Sequence, residues 1–196
     1  AWEVAFGSLT ASRDTFLVYY RAVSAPDEPP DRFRGESLAR PDAHSRFYAR
    51  AARAIDLATR DFGPTDRRYN VAALPAPGGR WWVYLVPAQV QATVYPLGGD
   101  ARYLIGGDGD VILAKRRLHN AVLEYDSRAT REPGATVAAG THSAVLDDVP
   151  EDTDVFHVLV RQPKVPEYVV TNAFVYRITP DGTIRLMGRR EDVLGR

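Results

Sequence analysis

Apolar and polar positions along the chain alternate in short stretches more often than they recur with a helical period. Alternation over about four to eight residues marks a strand with one buried face, whereas returns at every third and fourth position mark a helix. Residues 80–86 (RWWVYLV) are aromatic and β-branched, and residues 89–95 (QVQATVY) alternate, so both are predicted strands bounded by Pro87 and Pro96. Residues 102–105 and 111–113 flank GGDGD, which predicts a hairpin. Residues 116–125 (RRLHNAVLEY) suit either period and are read as a strand, because strands precede them. Residues 168–171 and 174–179 are further strands, the second turning through Pro180, Asp181 and Gly182 into residues 183–186.

Helical period dominates in two places. Over residues 42–62, with Ser45 as cap, Phe47, Ala51, Ile55, Ala58 and Phe62 form one apolar stripe that ends at Gly63 and Pro64. A shorter helix is expected over residues 151–161, with Asp148 and Glu151 as a capping pair and Pro163 as its stop. Residues 24–41 hold Pro26, Pro29, Pro30 and Pro41 among charges and read as a loop; residues 188–196 read as a fraying end. The fold expected is a single α+β domain spanning residues 1–196. A bent, mostly antiparallel sheet of about six to eight strands is packed by one long and one short helix. Residues 1–41 are its N-terminal segment and Pro-rich loop, and residues 42–196 its helix and sheet core.

Composition narrows the function. Lys plus Arg and Asp plus Glu number 25 each, so no net field draws the chain to nucleic acid, and no apolar run reaches the length of a membrane span. Cysteine is absent, which excludes disulfides, thiol catalysis and thiolate metal ligands. Lys115 and Lys164 are the only lysines, the arginine bias of a GC-rich bacterial genome. A location in the cytoplasm, or export after loss of a signal peptide, would both suit a chain starting at Ala1.

Candidate chemistry gathers in residues 136–161. A strand over residues 137–140 delivers Thr141, His142 and Ser143 to its end, and Asp147, Asp148, Glu151, Asp152 and Asp154 crowd the turn and helix start that follow. This surface, centred on His142, Ser143, Asp147 and Asp148, is expected to bind a protein, a peptide or a small ligand without catalysis and without a cofactor. The alternative is a metal site. His142 at a strand end and Asp154 on a helix are placed to hold an ion, and imidazole beside carboxylate favours zinc. His119 or Glu124 is the candidate third ligand.

The order strand, His, turn, Asp, helix, strand and strand over residues 136–186 resembles the second half of the JAB/MPN metalloprotease family, with its His-x-His-Pro and Ser-x-x-Asp motif. That resemblance implies a zinc-dependent peptidase or isopeptidase with His142 and Asp154 as ligands and Glu124 as the upstream general base. The motif is degenerate: Gly140 stands where the first histidine belongs, Ser143 replaces the proline, and Glu151 occupies the serine position.

Overall fold

The computed structural model describes residues 2–25, 32–44, 46–128 and 135–195. It is a mixed helix and sheet structure made mostly of strands. The elements run β1 (Trp2–Leu9), β2 (Phe16–Ser24), β3 (Arg34–His44), α1 (Phe47–Phe62), β4 (Tyr69–Ala76), β5 (Arg80–Pro87), β6 (Val94–Gly98), β7 (Ala101–Ile105), β8 (Ile112–Arg117), β9 (Val122–Asp126), β10 (Gly140–Ser143), α2 (Asp152–Val160), β11 (Glu167–Val170), β12 (Phe174–Ile178), β13 (Ile184–Arg189) and α3 (Arg190–Leu194). Sheet orders are β1-β2-β3, β4-β5-β7-β8, β6-β9 and β10-β11-β12-β13. No helix among the described residues is long and apolar enough to cross a membrane.

The chain divides into two compact units. The first is Ala1–Pro64, Val71–Val83 and Tyr103–Lys115; the second is Thr65–Asn70, Tyr84–Arg102 and Arg116–Arg196. Strands β4, β5, β7 and β8 each contribute residues to both.

In the first unit, β1, β2 and β3 form an antiparallel meander with irregularities at Phe6/Gly7 and Val18/Tyr20. Residues 34–41, expected in a loop, are strand here, because pairing with β2 satisfies their backbone despite Pro41 beside the second irregularity. Helix α1 consequently starts later than expected. Asp42 and His44 belong to β3, Arg46 is the N-cap without a side-chain bond, and the expected cap Ser45 lies outside the described residues, as do Pro26, Pro29 and Pro30. The helix buries Ala49, Ala54 and Ala58, small residues that let it approach closely, while Phe47 at the edge of the expected stripe is exposed and stacks edge-on against Trp81.

The second unit carries the chemistry. Strands β10 and β11 run parallel, connected through α2, and β12 and β13 continue antiparallel; the sheet is thus not uniformly antiparallel. Ala144, Val158, Val169 and Ile178 pack into its core with Val155 and Tyr176, the fully buried Val158, Val169 and Ile178 contributing roughly 1.5–3 kcal/mol each. The expected strand over 89–95 is displaced: it begins at Val94, and Gln89 instead bonds the carbonyls of Gln91 and Ala92 in a turn. The segment 116–125 is strand at both ends but broken at residues 118–121, where Leu118 N–H donates to Asp100 O at 3.0 Å. Residues 188–189 complete β13, and α3 follows where fraying was expected.

A candidate metal centre

Helix α2 places the first donor. Its N-cap is Glu151, not Asp148: Glu151 and Asp154 exchange bonds as a capping box, with Glu151 N–H donating to Asp154 Oδ2 at 2.8 Å. Capping uses one oxygen of Asp154. The other, Oδ1, points into the buried interior, where Val158 one turn along the same face is also buried.

Strand β10 places the second. His142 faces inward one pleat from Gly140, and its Nε2 lies 3.0 Å from Asp154 Oδ1. Its Nδ1 lies 2.8 Å from Glu167 Oε1 on the neighbouring strand β11. Register explains this reach. Glu167 is paired with Gly140, and a Cβ at 140 would overlap the Glu167 carboxylate and the Arg161 guanidinium. Gly140 thus makes room for the carboxylate that holds His142.

The third donor comes from the break between β8 and β9. His119 lies in this break, with Nε2 3.0 Å from Asp154 Oδ1 and Nδ1 2.8 Å from Asp100 Oδ1. Gly98 and Gly99, at φ of +85° and +65°, turn the chain so that Asp100 reaches the imidazole. A Cβ at Gly98 would lie 3.0 Å from that of His119 and collide with the Ala121 carbonyl, so the close approach needs glycine.

The donor atoms of His119, His142 and Asp154 all lie within 4.8 Å of one another, and the three side chains are 8%, 1% and 0% exposed. Tetrahedral zinc with bonds of about 2.0–2.1 Å separates its ligands by about 3.3 Å. The two 3.0 Å nitrogen–oxygen separations therefore need to open by only a few tenths of an ångström. His119 Nε2 is buried 3.0 Å from Asp154 Oδ1 without an aligned hydrogen bond, and in the neutral ring with its proton on Nδ1 the Nε2 lone pair is available to an ion. Each imidazole has its outer nitrogen fixed by a carboxylate, the support that metal-bound histidines ordinarily have. With both imidazoles neutral, Asp100, Asp154, Glu167 and Arg161 leave two negative charges, which one divalent ion or two protons would balance.

Electrostatics without an ion follow from that count. Burial disfavours imidazolium, yet Asp100 and Asp154 outweigh it and raise the His119 pKa to about 10; Asp154 and Glu167 likewise raise His142 to about 9. Burial opposes ionisation of Asp154 and Glu167 as well. The two imidazoles hold Asp154 well below the carboxylate range, and His142 with Arg161 lowers Glu167. Glu167 also accepts from Tyr125 Oη at 2.9 Å, and Arg161, paired with its other oxygen, donates to the Val165 and Pro166 carbonyls at 3.1 Å each. His157, one turn from Asp154, is buried against the Tyr125 ring with both nitrogens unpartnered, and burial followed by Arg161 lowers its pKa to about 4.

The expected site residues separate. His142 and Asp154 meet. Ser143 and Asp148 are exposed, Asp147 pairs with Arg116 at 2.6 Å, and Arg116 also pairs with Glu151. Glu124 sits on β9 opposite Pro96, largely exposed and 3.5 Å from Arg67, outside the donor cluster. His119 was expected only as one option for the third ligand, and Asp100, Glu167, Arg161 and Tyr125 were not expected at this centre. Two glycines before an aspartate, and a histidine interrupting an alternating run, were the available signals. Comparison with protein-family models, curated proteins and solved structures finds no match to this chain.

Proposed function

We propose that this protein binds one divalent transition-metal ion, of which zinc fits the donor set best, through His119 Nε2, His142 Nε2 and Asp154 Oδ1. The observation that carries the reading is the convergence of three buried donors whose two imidazoles are each held from behind by a carboxylate. Elemental analysis of the purified protein tests it. About one ion per chain is expected, lost in His119→Ala and in His142→Ala. A chain that carries no ion and takes up none of zinc, cobalt or manganese in calorimetric titration returns the cluster to a proton-balanced ion-pair network, and the protein to the binding domain without a cofactor.

A second reading, a metal-dependent hydrolase of JAB/MPN type with an altered ligand set, draws support from two features. The order β10, α2, β11 keeps a His strand and an Asp helix together as in that family, and His119, in the break between β8 and β9, would supply the ligand missing at Gly140. Three protein ligands leave a coordination position for a small molecule, as in catalytic rather than structural zinc sites. An ion held there acts, when bound, as a Lewis acid toward a carbonyl oxygen. The chain's own residues orient the imidazoles and exclude bulk water; Glu124, the expected general base, lies exposed on β9 beside Arg67. Turnover of a peptide or isopeptide by the zinc-loaded protein, absent in His142→Ala, tests this reading. Docking of a protein or peptide on exposed Ser143 and Asp148, and residues 1–196 as one domain, belong to the same proposal; a single cooperative unfolding transition tests the latter.

A further inference from the structure

The metal-binding reading leaves one question of chemistry open, namely what can reach the ion's remaining position. Three observations bear on it. The donor side chains are 8%, 1% and 0% exposed, so solvent touches the cluster only along the His119 ring. Backbone packs close beside that side chain: a Cβ at Gly98 would meet the Ala121 carbonyl and the His119 Cβ, Leu118 beside it is buried, and Leu118 N–H is bonded to Asp100 O. One groove is lined by Tyr125, Gly140, Arg161 and Val165, another by Asn172, Arg189 and Leu194. Neither is lined by His119, His142 or Asp154.

We infer that the free coordination position is a site for ligands the size of water or a small linear anion, reached past His119, and that it is closed to peptide-sized molecules. This rests on the metal-binding reading and sharpens it, and it opposes the second reading above, in which a peptide reaches the same ion. A water molecule occupies about 30 Å³, and a linear triatomic needs little more width. A peptide needs an open concave surface to bury its backbone and side chains. The wall at Gly98 and residues 118–121 is backbone held by a main-chain hydrogen bond, so it yields by local unfolding rather than by rotation of a side chain.

Cobalt-substituted protein tests this, because its visible absorption bands report the coordination of the ion. The probes are azide, a linear three-atom anion, and acetohydroxamate, a larger bidentate chelator. Azide is expected to shift the bands saturably, while acetohydroxamate at the same concentration leaves them unchanged over the same minutes. A prompt response to acetohydroxamate overturns the inference by showing an open centre. No response to azide also overturns it, by showing the fourth position filled by the chain. Failure of the protein to take up cobalt at all overturns the metal-binding reading, an outcome distinguishable from the other two.

Discussion

Ion pairs in the unit built from Ala1–Pro64, Val71–Val83 and Tyr103–Lys115 lie open to water, whereas the other unit buries its central ones. In the first, Arg13 with Asp56 and Arg50 with Asp108 are each more than 40% exposed. In the second, Asp100, His119, His142, Asp154, Arg161 and Glu167 are all below 10%. An exposed pair gains little over its separate hydration, since water screens the attraction and ordering two long side chains costs entropy. A buried pair loses that hydration and persists only where every charge is met. The difference teaches where to look for function: six ionisable groups kept together out of water, with His119 Nε2 and Arg161 Nε lacking a hydrogen-bond partner, need a reason that a solvated surface does not.

The contrast predicts its own largest effect. Asp154→Ala removes the oxygen shared by two imidazoles together with the acceptor for Glu151 N–H, and breaking a buried network of this kind costs about 3–5 kcal/mol. Urea denaturation of the metal-free protein measures it. A loss under about 1 kcal/mol would mean that the cluster is solvated and that the two units do not differ in this respect.

Zinc should act next in size. Binding to the folded state alone stabilises by about 2.7 kcal/mol at a hundredfold excess over Kd, so thermal unfolding of chelator-treated protein should shift upward on adding zinc. In His119→Ala the shift should vanish. The pH dependence of the metal-free form has a definite sign. His119 and His142, raised to about 10 and 9, contribute stability that is complete below about 6.5 and lost as pH climbs through 9 and 10. Asp154 and Glu167, lowered, contribute stability that is present above the ordinary carboxylate range and lost in acid. His157, lowered to about 4, adds to the acid loss between about 6.5 and 4. Denaturation midpoints at pH 7 and pH 10 should therefore fall with pH without metal and fall less with zinc bound, because the ion replaces the protons.

A smaller effect separates the roles of the supporting carboxylates. Asp100→Asn keeps the shape beside His119 but lets the amide present a donor to Nδ1, which moves the imidazole proton onto the nitrogen that would face the ion. Metal affinity should fall about 10–100-fold. Calorimetric titration reads this, and an unchanged affinity would show that His119 is not a ligand.

How much of this was legible in the sequence depends on how local each cause was. Strands β5, β7, β11 and β12 follow from alternation within their own residues, and α2 from a local cap and an apolar side. Strand β3 was hidden because its pairing partner β2, rather than its own proline-bearing sequence, satisfies its backbone. His142 and Asp154 were visible because 12 residues and one turn join them. His119 and Glu167 reach the centre from outside that stretch, and Glu167 does so only because Gly140 has no side chain to occupy the space. Gly140 is thus a condition of the geometry.

The smallest effect lies back in the exposed unit. Asp108→Ala removes the 3.1 Å pair with Arg50, but the bond that holds this turn to α1 runs from Arg53 Nε to the Asp108 carbonyl, which alanine retains. Stability should change by no more than about 0.5 kcal/mol. Arg53→Ala should cost more, because it also removes the donor to the Arg13 carbonyl. If the two substitutions cost the same in urea denaturation, the solvated side chain of Asp108 matters as much as the main-chain bonds. The rule that separates the two units, exposed charge as solvated surface and buried charge as function, would then fail at its weaker end.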